Sequence, residues 1–242
     1  MLDHVTYTDK GTRNVNEDSA CVSQIGDMAV FAVCDGLGGH SNGDLASKTA
    51  VNAICSALNE NTSIDSFISD AMDCAQADLL KEQENNPSAK KMRTTAVVLF
   101  TDGKSFNCAH IGDSRLYFFT KTGERTRTVD HSIPQILALT GEIEDKDIRF
   151  HPDRNLVLKA LGNEGKSANF EIGDIRRLDD YRAFLLCTDG FWEYISDEEI
   201  SSTLEASSSA EQWMGMMTEI IEKNVKGKSA DNRTAIAVIN RD

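Results

Sequence analysis

No run of apolar residues in the 242-residue chain approaches the length of a bilayer span, and no signal peptide opens it. A basic stripe is missing as well. Lys and Arg number 25 against 39 Asp and Glu, a net charge of −14. So little cationic surface cannot neutralise the phosphates of nucleic acid or an anionic membrane, and neither is expected as a partner. The excess acid solvates the surface and also suits cations. No CxxC pair occurs among the six cysteines, Cys21, Cys34, Cys55, Cys74, Cys108 and Cys187, which argues against zinc. Several lie in apolar runs ("AVCDG", "LLCTDG"), where a thiol packs as a small hydrophobe. Without disulfide spacing, the expectation is six reduced thiols in a reducing cytoplasm. Internal repeats and low-complexity linkers are also absent, so one domain over residues 1–242 is expected.

What is present is a series of strands with long helical insertions. "MAVFAVCD" is apolar and rich in strand formers. The stretch from "TTAVVLF" to "RTRTV" reads as a four-strand meander with turns at "DGK", "GDSR" and "KTGE". "YRAFLLCTDG" and "RTAIAVINR" add two strands. Apolar residues at helical spacing place helices over "GDLASKTAVNAICSALNE" and "TSIDSFISDAMDCAQADLLKEQE". Ser196 and Glu199 form a capping-box pattern before "DEEISSTLEA", and "SAEQWMGMMTEIIEKNV" is a last amphipathic helix. This order favours antiparallel sheets covered by helices, an α+β arrangement.

Carboxylates recur at the strand ends. Asp35 follows "VFAVC", Asp189 follows "FLLCT", Asp231 and Asn232 precede "RTAIAV", Asp113 sits in "IGDSR", and Glu17 and Asp18 open an early strand. A single Asp-Gly is ordinarily a turn. Several acids brought to one edge of a sheet pair would repel one another, and hard divalent cations relieve that repulsion with oxygen ligands. Glycine after the acid, Gly36, leaves a backbone carbonyl open to approach.

In order along the chain, "GTRNVNEDS", "VCDGLGGH", "MRTTAVVLF", "AHIGDSRLYFF", "VDHSIPQILALTGEI", "HPDRNLVLKALG", "FLLCTDGFWEYISDEEI" and "DNRTAIAV" resemble the motifs of the PP2C-type (PPM) metal-dependent Ser/Thr protein phosphatases, bacterial branch. The resemblance runs from Gly11 to Val238. It implies an α-β-β-α sandwich of two antiparallel sheets, with two Mn²⁺ or Mg²⁺ ions at one edge and a third in bacterial members. By that resemblance Asp35 bridges two ions, the Gly36 carbonyl and Asp18 serve the second, and Asp189 and Asp231 hold the first. Glu17 and Asn232 stand behind them, and Asp113 joins Asp189 at the third ion. Arg13 is implied as the phosphate-binding residue. The implied reaction is in-line attack by a metal-bridging hydroxide, with no phosphoenzyme.

A nucleophilic-cysteine phosphatase is disfavoured, because no His-Cys pair precedes a Gly-rich loop and Arg. Two departures stand out. Leu37 occupies the slot where many eukaryotic relatives carry a histidine, and His40 comes too late to replace it by position alone. Arg233 stands where an apolar residue is usual, which suggests an edge strand. The segment 131–161 resembles the flap of bacterial members, with His131 either touching substrate or capping structure. Expected partners are phosphorylated Ser/Thr proteins, among them a Ser/Thr kinase, for a monomeric cytoplasmic enzyme. The alternatives are a phosphoprotein-binding pseudophosphatase, which predicts lost metal acids, and a phosphatase of anti-sigma-factor antagonists.

Overall fold

The computed structural model describes residues 2–37, 42–165 and 168–241. Its strands are β1 (Leu2–Asp9), β2 (Asp18–Ile25), β3 (Met28–Leu37), β4 (Arg93–Thr94), β5 (Ala96–Thr101), β6 (Ser105–Ile111), β7 (Arg115–Thr120), β8 (Arg125–Arg127), β9 (Glu171–Ile172), β10 (Arg176–Arg177), β11 (Tyr181–Cys187) and β12 (Arg233–Asn240). The helices are α1 (Gly43–Ser56), α2 (Phe67–Asn85), α3 (Ile133–Leu139), α4 (Asp189–Trp192), α5 (Asp197–Ala206) and α6 (Ala210–Val225). One sheet runs β1-β12-β11-β7-β8 and the other β10-β6-β5-β3-β2, with β4 added to β3 and β9 to β6. The strand pairings are antiparallel.

Strand alternation sorts the side chains into layers. Val30, Ala32 and Cys34 of β3 face α1 and α2, while Ala29, Phe31 and Val33 face the other sheet. In the second sheet Phe184 and Leu186 face inward, whereas Ala183, Leu185 and Cys187 pack under α5 and α6. The result is the α-β-β-α sandwich expected from the motifs. Aromatic rings fill the seam between the sheets, with Phe106 and Phe184 centred 4.9 Å apart and nearly perpendicular. Truncating one such ring to alanine costs about 3–5 kcal/mol.

Helix starts follow their caps. The Ser196–Glu199 capping box is formed in both directions and opens α5. The helix expected from Thr62 starts instead at Phe67, after a turn in which Phe67 N bonds to Ser63 O. β1 was not legible in the sequence, because "LDHVTYTD" mixes apolar and polar residues in an outer strand. The expected single meander is two hairpins in two different sheets, β5–β6 and β7–β8. "GDSR" is therefore the crossover between sheets, with Gly112 at φ 98° packed on Thr95.

Two further expectations are corrected. Arg233 does not lie on an edge strand, since β12 is flanked by β1 and β11. The thiols are not all reduced: Cys21 of β2 and Cys55 of α1 form a disulfide across a separation of 34 residues. Cys34, Cys108 and Cys187 are buried thiols and Cys74 is an exposed one. The sequence spacing did not mark the pair, because the contact arises from packing α1 on the sheet. Among the described residues no helix is long and apolar enough to cross a membrane.

The disulfide closes a long loop of the unfolded chain, which stabilises the fold by about 2–4 kcal/mol. Urea unfolding of the oxidised protein is expected to show that loss on adding dithiothreitol. The Cys21→Ser, Cys55→Ser double variant should be insensitive to reductant.

Candidate metal centre and active site

The register of β2 on β3 sets Asp18 directly opposite Asp35. Opposed residues of an antiparallel pair share a face, and here it is the face that carries Phe31 and Val33 into the seam. Two carboxylates thus stand side by side where the seam reaches its end. The neighbouring sheet contributes from the same end. The β11–β12 pairing reaches Cys187 opposite Ala235. Asp189 follows as the first residue of α4, and Asp231 precedes β12. The Asp35 and Asp189 side chains lie close enough to shift each other's titration. Asp113 comes from the crossover after β6. The structure therefore brings together Asp18, Asp35, Asp113, Asp189 and Asp231.

Burial is the first cause of their shifted titration, and mutual repulsion adds to it. Asp18 is pushed up to about 7 by burial and by Asp189 and Asp231, against a hydrogen bond from Thr188. Asp189 is raised to about 6 by burial and Asp231. Burial raises Asp35 well above the ordinary carboxylate range, and Asp18, Asp189, Asp113 and Asp231 raise it further. Asp113 is raised likewise by burial, then by Asp189 and Asp130. Among the described residues, Asp18 Oδ1 and Asp113 Oδ1 are buried without a hydrogen-bond partner. Unpartnered acid oxygens in an all-oxygen donor set fit a hard divalent cation such as Mg²⁺ or Mn²⁺. The sulfur and imidazole donors that would select zinc or copper are not in this set.

The backbone around the acids is held closely. A Cβ on Gly36 would fall 2.0 Å from Gly43 O and 2.8 Å from Glu17 O, so only glycine lets β3 pass the start of α1. That packing, in addition to carbonyl access, accounts for the glycine. Gly190 is confined in the same way, its Cβ position lying 2.0 Å from Asn232 O. Hydroxyl groups that the motifs did not single out complete the support. Thr188 Oγ1 donates to Asp18 Oδ2 at 2.9 Å, and Thr94 Oγ1 donates to Asp35 O at 2.8 Å. Thr95 Oγ1 accepts from Asp35 N at 2.9 Å and meets Ser114 Oγ at 2.7 Å. Thr188 and Ser114 have one signal in the sequence, each lying next to an acid at a strand end, whereas Thr94 and Thr95 have no acid beside them.

A buried lattice ties Asp113 to Asp189. Trp192 Nε1, on the same short helix as Asp189, donates to Asp113 O at 3.0 Å. The Arg115 guanidinium lies 3.4 Å over the Trp192 ring and pairs with Asp130 at 2.6 Å, both side chains being almost fully buried. His131 acts on the same turn. Its backbone N donates to Gly112 O, and its Nδ1 accepts from Gly112 N at 3.0 Å. That bond leaves the proton on Nε2, which faces Glu171 Oε1 at 2.8 Å. The His131 ring stacks parallel on His110, 4.8 Å between centroids. His110, His131 and Glu171 bring their donor atoms within 4.8 Å of one another; here His131 Nε2 is paired with Glu171 and His110 Nε2 lies 2.8 Å from Val129 O. These contacts give His131 a structural role in the turn before Asp113.

The remaining candidates lie around the rim. Arg13 is exposed and its Nη2 sits 2.6 Å from Asp231 Oδ2. Glu17 is raised above its usual range by burial and then by Asp44, and its carboxylate meets the backbone N–H of Gly43 at the start of α1. Asn232 does not hold the Asp231 carboxylate with its side chain. Its Nδ2 donates to Lys10 O and Val15 O, and its Oδ1 accepts from Glu17 N, so it clamps the loop bearing Arg13, Glu17 and Asp18. Its backbone N donates to Asp231 Oδ1 at 2.8 Å. Leu37 ends β3 opposite Arg93 and offers no proton. Gly38, Gly39 and His40 lie outside the described residues.

Segment 131–161 is rooted at both ends. Leu158 N donates to His131 O, and Leu161 exchanges backbone bonds with Thr94. Between these roots Leu139 and Phe150 are exposed, and Arg154 Nε lies 2.9 Å from Glu193 Oε1. Burial, then Asp189, pushes Glu193 up to about 7. A groove of about 990 Å³ runs between this segment and α4–α5, lined by Arg149, Phe150, Arg154, Glu193, Tyr194 and Lys228. None of the five clustered aspartates lines it.

Comparison with known proteins agrees with this geometry. The sequence pattern described as Protein phosphatase 2C matches residues 10–231. The serine/threonine phosphatase stp of Listeria innocua is 31% identical over 213 residues, which span 82% of this chain and 81% of that protein. The crystal structure of Stp1, a serine/threonine phosphatase of Staphylococcus aureus, superposes with a TM-score of 0.88 at 29% identity, covering 100% of this chain and 96% of that one. The catalytic domain of the serine/threonine phosphatase PstP, solved in complex with 2 manganese ions, superposes with a TM-score of 0.79 at 25% identity, covering 100% and 99%.

The raised acids make a pH-dependent prediction. A carboxyl whose folded pKa exceeds its unfolded value stabilises the fold when protonated, and that contribution is lost as pH rises through the folded pKa. For Asp189 at about 6 and Asp18 at about 7, metal-free protein should melt at a lower temperature at pH 8 than at pH 5.5. Saturating Mn²⁺, binding only the folded state, should raise the pH 8 melting temperature and remove that difference. Differential scanning fluorimetry in EDTA and in Mn²⁺ tests both statements.

Proposed function

The chain belongs to the protein phosphatase 2C family, and from that premise we infer that it removes phosphate from phosphoserine and phosphothreonine side chains of proteins in a metal-dependent reaction. The observation that carries this reading is the opposed pair Asp18 and Asp35, joined by Asp189 and Asp231, with buried acid oxygens left over for a cation. In our assignment Asp35 would be shared by two ions, Asp189 and Asp231 would hold one of them, and Asp18 with the Gly36 carbonyl would serve the other. Asp113 and Asp189 would hold a third. When bound, the cations supply an activated water and neutralise charge on the phosphoryl group.

The chain's own residues do the rest. Arg13 stands at the rim of the cluster and offers guanidinium N–H groups to phosphoryl oxygens, countering the charge that develops on them. Glu17 stands at the amino end of α1, behind Asp18, and Asn232 fixes the loop that carries them both. Thr188 orients Asp18, and Thr94 with Thr95 fixes the backbone of Asp35. Leu37 cannot protonate the leaving alkoxide, so water or the substrate's own surroundings would have to supply that proton. The groove beside segment 131–161 has charged and aromatic walls suited to the protein flanking the phosphorylated residue.

We take the domain to span residues 1–242 with its flap at 131–161, and the enzyme to be a monomer that reverses a Ser/Thr kinase and acts on that kinase among its substrates; the Cys21–Cys55 disulfide removes the ground for expecting a reducing cytoplasm. The pseudophosphatase alternative predicts lost acids, and none of the five is lost. Anti-sigma-factor antagonists remain one class within the same substrate chemistry.

Hydrolysis of p-nitrophenyl phosphate and of a phosphothreonine peptide is expected with Mn²⁺ and not with EDTA. Asp35→Asn and Asp189→Asn should each lose about a hundredfold or more in kcat. Arg13→Ala should lose about tenfold to a hundredfold in kcat/KM, the effect of removing hydrogen bonds to a charged group. Turnover without metal, or wild-type rates in both aspartate variants, overturns the assignment. Peptide binding without turnover in Mn²⁺ favours the pseudophosphatase.

A further inference from the structure

Arg233 is almost fully buried, yet it begins a strand in the middle of a sheet. It faces Asp9 directly across the β1–β12 pairing, with Nη2 3.1 Å from Asp9 Oδ1 and 3.1 Å from Glu222 Oε1 of α6. Among the described residues its Nε and Nη1 are buried without a hydrogen-bond partner. Burying two guanidinium nitrogens unpaired is costly, and an apolar residue of similar size would not incur that cost. Fold stability alone therefore does not account for an arginine here.

Its partner does. The same Asp9 Oδ1 that meets Arg233 accepts the backbone N–H of Gly11. Gly11 has φ 59°, and a Cβ there would fall 2.3 Å from Asp231 O. The turn it opens is pressed onto the segment before Arg233, with Thr12 N and Thr12 Oγ1 both donating to Ala230 O at 3.0 Å. Arg13 N then closes the turn on Lys10 O. One ion pair thus ties the start of β12 to the turn that delivers Arg13.

We propose that Arg233 is a positioning residue for phosphate recognition: acting through Asp9, it fixes the 9–13 turn so that the Arg13 guanidinium is held at the rim of the acid cluster. The inference rests on the reading of Arg13 as the phosphate-binding residue. Arg233 itself touches neither the clustered acids nor the reacting phosphate.

The test uses the Mn²⁺-saturated enzyme, with p-nitrophenyl phosphate as substrate and inorganic phosphate as competitive inhibitor. Arg233→Val should raise KM and the phosphate inhibition constant together by about fivefold or more, with a smaller fall in kcat and no fall in melting temperature. Asp9→Asn, which breaks the ion pair from its half-exposed side, should give the same rise even if the valine variant folds poorly. Arg233→Lys, which keeps a charge facing Asp9, should hold both constants within about twofold. Arg13→Ala combined with Arg233→Val should be no worse than Arg13→Ala alone. If Arg13→Ala weakens phosphate but Arg233→Val and Asp9→Asn do not, the positioning role is wrong and the reading of Arg13 stands. Additive losses in the double variant also refute it, since Arg233 would then act by another route. If Arg13→Ala leaves phosphate inhibition unchanged, the reading of Arg13 fails and the inference fails with it.

Discussion

Repulsion between two aspartates that the sheet forces into register is the constraint from which the rest of the site follows. Asp18 and Asp35 are opposed because β2 and β3 pair as they do, and the pairing is set by apolar residues further along both strands. Neither acid can turn away without shifting a strand. Like charges placed directly opposite destabilise a sheet. The fold carries this cost at the end of the seam, where its own strands run out, and adds Asp189, Asp113 and Asp231 to it. A polypeptide that concentrates so much negative charge in a partly dry place is incomplete without cations. The supporting hydroxyls of Thr188, Thr94 and Thr95 hold the acids in place but do not neutralise them.

Legibility in the sequence divided along physical lines. Asp35 and Asp189 were readable because a continuous apolar run followed by Asp-Gly is a local pattern, written within ten residues. The capping box at Ser196 is local too, and it formed as read. What failed was long-range. "GDSR" has the residues of a hairpin turn, and nothing local says that the next strand joins the other sheet. Cys21 and Cys55 meet only because α1 packs on its sheet. Asn232 reads as a companion of Asp231, yet its side chain reaches across to Lys10, Val15 and Glu17. Arg233 resembles an edge residue because it is charged at an apolar position, and β1, which covers that edge, has little strand signal. The ordered set of motifs carried the architecture further than any one of them, since each constrains where the others can lie.

The two sheets are also joined outside the apolar seam. Trp192 receives the Arg115 guanidinium on its ring and gives its indole N–H to the carbonyl of Asp113. One side chain thus connects the helix that starts at Asp189 with the crossover that carries Asp113. Buried ion pairs such as Arg115–Asp130 contribute little net stability, but they enforce one geometry. Here the geometry enforced is the spacing between acids drawn from different sheets.

Segment 131–161 leaves the domain beside Gly112 and returns beside Thr94. Its two roots are therefore the backbone next to Asp113 and the backbone next to Asp35. Lengthening a surface loop costs little free energy once its ends are fixed, so the stretch between the roots is free to diverge in length and sequence. The roots themselves are not, because their span is the distance between two of the clustered carboxylates. This segment can thus drift like a handle reshaped on a fixed pair of rivets, leaving the acid cluster beneath it unaltered.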